Sequence, residues 1–277
     1  MITLFILRHG KSEGNEKKII QGLNNQYALS EKGKHDTECV AKKYKQQLNM
    51  VDVAYCSNLL RAEQTAQILL QESGKTRLVQ KTELLNEMNP GVLSDMTHMD
   101  AQEMYPEYYK VWCDRKDLDL IEGAEKGNEL QSRCLAFLEN FLEIEEGTYL
   151  VVTHAGYLRC LVNTIAGRDR TTPVNIDNLN IHVVKNPWQN VKCRCLKKDT
   201  GKAVYDIETF NERYILKRVN KKMSRWDYQI SIIQNKVSKE IGYIPQAYWY
   251  GDKIDNNNNA YTVKVLKYMR GERCLSI

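Results

Sequence analysis

No apolar run in the 277 residues approaches the about 20 that a membrane-spanning helix needs, so insertion by such a helix is not expected. The N-terminus has no basic stretch ahead of its apolar residues, which stop at Arg8; it reads as a buried strand rather than a secretion signal. The eight cysteines form no disulfide framework: they are scattered, and several sit inside apolar stretches. Cys193-Arg194-Cys195 is the one close pair, and it has no second pair or nearby His to complete a metal site. The expectation is therefore a cytoplasmic protein with reduced thiols, no structural or catalytic metal and no cofactor. Internal repeats are absent. Histidine is scarce, with five in the chain, so the placement of each one carries weight.

The charge is unevenly spread. Residues 187–277 hold 18 Lys and Arg against 9 Asp and Glu, whereas residues 1–186 hold 22 against 26. A change of sign near residue 187, where Asn186-Pro187 also interrupts the pattern, predicts two units: a domain over 1–186 and a smaller one over 187–277. The basic charges of the second unit are dispersed rather than clustered, which argues for a solvated surface and against nucleic acid as a partner.

Within the first unit, Ile2–Leu7 is a short, almost continuous apolar run, as expected for a strand buried on both faces. Residues 51–56 and 149–152 read the same way, with short strands at 77–81 and 180–184. Helices are predicted over 34–48, 59–70, 129–142 and 156–166, with a helical insertion over 98–118. Glu129–Leu142 repeats Leu130, Cys134, Phe137, Leu138 and Phe141 at helical spacing. Strand and helix in alternation predict an α/β domain: a doubly wound, mostly parallel sheet with helices on both faces.

Two of the five histidines fall directly after buried strands, in Arg8-His9-Gly10-Lys11-Ser12-Glu13-Gly14-Asn15 and in Thr153-His154-Ala155-Gly156. In an open parallel sheet the carboxyl ends of the strands line the binding crevice. The turn after Cys56 puts Arg61 in the first turn of a helix at that edge, and Leu84-Leu85-Asn86-Glu87 brings a carboxylate after the next strand. Phosphoryl chemistry wants this set. A neutral imidazole attacks without a base to activate it. Guanidiniums match phosphate oxygens and neutralise their charge, and a carboxyl group protonates the leaving oxygen. Glu83 and Glu125 are the alternative acids; His35, His98 and His182 are read as structural or surface residues.

Together, Arg8-His9-Gly10 with Ser12 and Asn15, Ser57-x-Leu59-x-Arg61-Ala62-x-Gln64-Thr65-Ala66, Glu87, Gly123-Ala124-Glu125 and Thr153-His154-Ala155-Gly156 resemble the histidine phosphatase superfamily in its phosphoglycerate-mutase-like branch, from residue 1 to about 185. The resemblance implies that His9 is the phosphorylated nucleophile and Glu87 the acid/base, with Arg8, Asn15, Arg61 and His154 binding phosphate. Gln21-Gly22 looks like the family's next segment, and Gln21 and Gly22 join Ser12 and Asn15 in the substrate-binding set that the resemblance implies. Gly91-Val92-Leu93-Ser94-Asp95 stands where the family often has Gly-x-Trp-x-Gly, and the cap over 88–125 is short, which favours a phosphatase over a mutase. The expected activity is hydrolysis of a small phosphorylated metabolite, the rivals being a phosphoglycerate-type mutase and a phosphate-binding module without turnover.

Residues 187–277 predict a small α+β domain: strands near 192–196, 203–207 and 213–219, a helix over 225–241, and strands on either side of the Asn256–Asn259 loop. Lys198-Asp199-Thr200-Gly201, Tyr214-Ile215-Leu216-Lys217-Arg218 and Tyr268-Met269-Arg270-Gly271-Glu272 resemble, over 192–277, the small lobe of aminoglycoside-phosphotransferase-like kinases. That likeness implies Lys217 as a nucleotide-binding residue. It also implies no kinase activity, since no large lobe follows. Such a half-fold is expected to associate, as a homo-oligomer or with a partner chain.

Overall fold

A computed structural model describes residues 1–114, 118–141, 145–190, 192–199, 202–208, 213–220, 247–254 and 260–267, which fall into two compact units, 1–189 and 190–277.

The strands of the first unit are β1 (Ile2–Arg8), β2 (Val53–Cys56), β3 (Val79–Lys81), β4 (Gly147–Thr153) and β5 (Ile181–Lys185), in the order β3-β2-β4-β1-β5. All neighbours are parallel except β5, which runs antiparallel on β1. The helices are α1 (Glu13–Glu16), α2 (Glu31–Lys43), α3 (Lys45–Asn49), α4 (Leu60–Gln71), α5 (His98–Met104), α6 (Pro106–Asp114), α7 (Gly127–Leu138) and α8 (Ala155–Ile165). The alternation of the strands explains the two apolar layers. On one face Phe5, Leu7, Ala54, Cys56, Leu150 and Val152 pack with Ala41, Leu48, Ala62, Ala66, Leu69 and Leu70 from α2, α3 and α4. On the other, Tyr55 and Tyr149 meet Phe137 and Phe141 edge-on, at ring-centroid distances of 4.9–6.2 Å.

Some boundaries differ from those read in the sequence. The helix expected over 34–48 is two, broken where Tyr44 leaves helical geometry (φ −106, ψ 20). The insertion at 98–118 is likewise two short helices, α6 starting at Pro106, whose missing N–H suits a first turn. The last turn of the 129–142 helix tightens to 3-10 geometry over Glu139–Phe141.

In the second unit β6 (Lys192–Asp199), β7 (Lys202–Glu208), β8 (Arg213–Asn220), β9 (Ala247–Ile254) and β10 (Ala260–Lys267) form an antiparallel sheet in the order β6-β7-β8-β10-β9. Ala203, Tyr205, Ile207, Tyr214 and Leu216 are buried along one face, with Tyr205 opposite Leu216 and Ile207 opposite Tyr214. Lys217 lies in β8, the middle strand. The expected helix over 225–241 and the segment from Tyr268 onward lie outside the described residues. Among the described residues no helix is long and apolar enough to cross a membrane.

Candidate active site

Sheet register sets the site. Arg8 pairs with Thr153, so the next residues, His9 and His154, leave adjacent strands at one level. Cys56 pairs with Val152 on β4 and with Lys81 on β3, so the chain leading to Arg61 and the chain leading to Glu87 emerge at the same edge. Strand order alone thus gathers four segments far apart in sequence.

Hydrogen bonds stitch the segments together. His9 N donates to Thr153 O (2.9 Å) and Gly10 N to Thr65 Oγ1 (2.9 Å) on α4. Asn178 Nδ2 donates to His9 O (2.7 Å). Thr153 Oγ1 donates to Leu85 O (2.6 Å), and Asn86 Oδ1 accepts from Ser57 Oγ (2.7 Å) and Asn58 N (3.0 Å). Glycines allow the close approaches: a Cβ on Gly33 would lie 1.9 Å from Lys11 O, inside the loop that carries His9.

At the centre, the rings of His9 and His154 stand 5.0 Å apart, tilted by 58°. His9 Nδ1 lies 2.7 Å from Gly10 O. A carbonyl only accepts, so Nδ1 carries the hydrogen and the lone pair of the neutral ring is on Nε2. Both rings are almost fully buried, at 2% and 0% exposure. Burial lowers the pKa of His9 well below its ordinary value, Arg61 and Arg8 push the same way, and the Gly10 hydrogen bond opposes them. His154 is lowered well below its usual range by burial, then by Arg61, His9, Arg8 and Arg133. Both imidazoles are therefore neutral at neutral pH.

Arg61 is 1% exposed, and its Nη1 and Nη2 donate to Asn24 O and Gly22 O, each at 2.8 Å. Burial pulls it down to about 10, against the pull of Glu87, so it stays a cation. Among the described residues, Arg61 Nε and both ring nitrogens of His154 are buried without a hydrogen-bond partner. Such groups are rare in folded proteins, and here they converge beside cations, which suits an anion rich in acceptor oxygens. Arg8 adds a second guanidinium, its Nη1 donating to Ile176 O (3.1 Å).

Glu87 sits at the first turn of α8. Its carboxylate accepts from Gly156 N (3.0 Å), Tyr157 N (3.2 Å) and Met88 N (2.9 Å). The other two candidate acids are placed elsewhere. Glu83 is exposed, and Glu125 is gripped by Arg133 through Nε (2.9 Å) and Nη2 (2.7 Å). Ser12, Asn15 and Gln21 form a small cluster at the start of α1. Ser12 Oγ donates to Gln21 Oε1 (2.9 Å), while Ser12 and Asn15 cap each other. Gly22 contributes its carbonyl to Arg61 and adopts φ +49. His35 contacts Cys39, His98 contacts Tyr109, and His182 contacts Asn175 and Asn180. Among the described residues no three His, Cys, Asp or Glu side chains converge to hold a metal ion.

Sequence reasoning quoted Thr65 and Asn86 within motifs but gave them no role, and it missed Asn178 and Arg133. Their partners here are groups distant in sequence.

A family model described as the histidine phosphatase superfamily (branch 1) matches residues 4–199, past the first unit and through β6. Phosphoglycerate mutase-like protein 4 of Arabidopsis thaliana is 30% identical over 160 residues, 57% of this chain and 68% of that protein. A 2,3-bisphosphoglycerate-dependent phosphoglycerate mutase of Parvibaculum lavamentivorans is 30% identical over 184 residues, 64% of this chain and 85% of its own length. The fold is shared with a mycobacterial glucosyl-3-phosphoglycerate phosphatase solved with VO3: TM-score 0.58, 19% identity, covering 76% of this chain and 99% of that one. The chain belongs to the histidine phosphatase superfamily.

Proposed function

We propose that this superfamily member is a metal-independent phosphomonoesterase that cleaves a small phosphorylated metabolite through a phosphohistidine at His9. The observation that carries the reading is the orientation of His9. Its Nδ1 is committed to Gly10 O, which leaves the Nε2 lone pair as nucleophile in a pocket shared with His154 and two guanidiniums. Nε2 attacks phosphorus as the P–O bond to the leaving group breaks, and Glu87 delivers a proton to the departing oxygen. Arg8 and Arg61 neutralise charge on the equatorial oxygens and His154 donates a hydrogen bond to them, the part a metal ion plays in other phosphatases. Glu87, now a carboxylate, takes a proton from the water that attacks phosphorus. The N–P bond breaks, inorganic phosphate leaves and His9 is restored. Ser12, Asn15, Gln21 and Gly22 shape the wall of the pocket beside the phosphate. We place the activity in the cytoplasm, as the scattered cysteines suggest.

A mutase is the second reading, favoured by the mutase relatives at 30% identity. The short 88–125 cap speaks for hydrolysis. Phosphate release from p-nitrophenyl phosphate without a bisphosphorylated cofactor decides between them. The His9 assignment is read from rapid-quench labelling, which should give acid-labile, base-stable protein-bound phosphate that His9→Ala abolishes together with turnover.

For residues 187–277 we propose a non-catalytic accessory lobe of kinase-like shape that associates with a second copy or with a partner chain. Its support is the five-stranded antiparallel sheet with Lys217 on the middle strand.

A further inference from the structure

Arg133 belongs to none of the segments that define the site, yet its guanidinium is occupied on every side. Nε and Nη2 hold the Glu125 carboxylate in a fork. Nη1 donates to Leu84 O (3.0 Å) and Asn86 O (2.7 Å), and Nη2 also reaches Glu87 O (3.4 Å). The plane lies over the Tyr157 ring, 4.8 Å from its centroid. Tyr157 in turn donates its backbone N–H to the Glu87 carboxylate.

We propose that Arg133 is a positioning residue for the leaving-group acid, fixing the backbone of residues 84–87 so that the Glu87 carboxyl meets the departing oxygen. The inference rests on the acid role proposed for Glu87. Three carbonyls in one short segment are bound by one rigid fork, and the fork is locked on its far side by Glu125 and beneath by Tyr157. The Glu87 carboxylate is oriented separately, by the first turn of α8. Main chain and side chain of the acid are thus pinned from two helices, α7 and α8, and the guanidinium–ring contact ties those helices together. A lysine would keep the charge. It offers donors from a single point, however, and cannot span Glu125 and three carbonyls at once. Arg133 touches no reacting atom in this arrangement, so its removal should weaken proton delivery and spare the attack by His9.

The test uses the full-length chain and three substrates with leaving groups of falling acidity: p-nitrophenyl, phenyl and glycerol phosphate. Arg133→Lys, Glu125→Gln, Glu87→Gln and the Glu87→Gln/Arg133→Lys pair are compared by kcat/KM. Nitrophenolate departs without a proton whereas an alkoxide does not. Arg133→Lys should therefore lose on the order of tenfold more activity on glycerol phosphate than on p-nitrophenyl phosphate. That extra factor should vanish in the Glu87→Gln background, because the two residues act as one unit. Glu125→Gln loosens the clamp without removing it. It should show the same ordering at smaller size, and it gives the answer if the lysine variant does not fold. Equal losses on all three substrates would make Arg133 a merely structural residue, and so would an extra factor that persists without Glu87. If Glu87→Gln itself shows no leaving-group dependence, the acid assignment falls and this inference falls with it.

Discussion

Two neutral imidazoles buried beside arginines should make the ligand-free protein acid-sensitive in a defined window. Both His9 and His154 are held below the unfolded-chain value of about 6.5. Above that pH neither state binds the proton, and their full contribution to stability is present. As pH falls below it, the unfolded chain protonates first, so stability is lost until the folded pKa is reached. Each such group removes at most about 1.4 kcal/mol per pH unit, so the pair removes at most about 3 kcal/mol per unit below the unfolded-chain value. For a domain of this size that is a fall in melting temperature of at most about 12 °C per unit. The assay is thermal melting across pH 7.5–5, for wild type, His9→Gln, His154→Gln and the double variant. Each single change should remove about half of the excess slope. Inorganic phosphate should flatten it, because an anion between the rings favours their protonated forms. Wild type and the double variant melting with the same slope would refute the picture of two buried neutral rings.

In the proposed mechanism guanidiniums and imidazoles do the work of a metal, so hydrolysis should survive EDTA; loss on chelation with recovery on Mg²⁺ would point to other chemistry. Gly33→Ala should cut activity severely and cost about 1–3 kcal/mol or more in denaturant melts, because its Cβ would sit 1.9 Å from Lys11 O, a backbone atom that cannot swing aside. Residues 1–190 should fold and hydrolyse phosphate alone, since every residue assigned to the site precedes 160; a soluble but inactive truncation would mean that later residues reach the pocket. The truncation keeps Trp188, whose Nε1 donates to Leu138 O (3.1 Å). Full-length protein with ATP and Mg²⁺ should transfer no γ-phosphate, read by radiolabel.

The parts of this fold legible in the sequence are those with short-range causes. A continuous apolar run such as Ile2–Leu7 is a buried strand in almost any context, and the residue after it lies at a strand end whichever strands flank it. His9 and His154 were readable on that ground alone. Their adjacency was not, because register between β1 and β4 joins residues about 150 apart and follows from the whole sheet. Arg61 could be placed on its helix but not pointed inward: an Arg in a first turn is ordinarily solvated. What turns it is a pair of carbonyls, Gly22 O and Asn24 O, supplied by a loop held at φ +49. The broken helix at Tyr44 and the tightened end of α7 were missed for a different reason, since propensity changes little across either point and tertiary packing decides.

Arg133 shows why supporting residues are the hardest to see. In sequence it is one cation on the polar side of an amphipathic helix, and a solvated charge is the ordinary reading of such a position. In the structure its acceptors are backbone oxygens 46–49 residues away, and backbone carbonyls leave no mark on amino-acid identity. The only partner with a side-chain signature is Glu125, which the motif pattern offered instead as a rival acid. A carboxylate held in a fork at 2.7 and 2.9 Å is engaged with the guanidinium and oriented by it. Net charge around the acid is then set by a closed pair, Arg133 with Glu125. Arg61 meets backbone carbonyls instead, Gly22 O and Asn24 O, and with Arg8 it is a cation that the proposed mechanism turns on the phosphate. The proposed division of arginines, one that builds and two that bind, rests on which acceptors each one meets, and the sequence lists only the arginines.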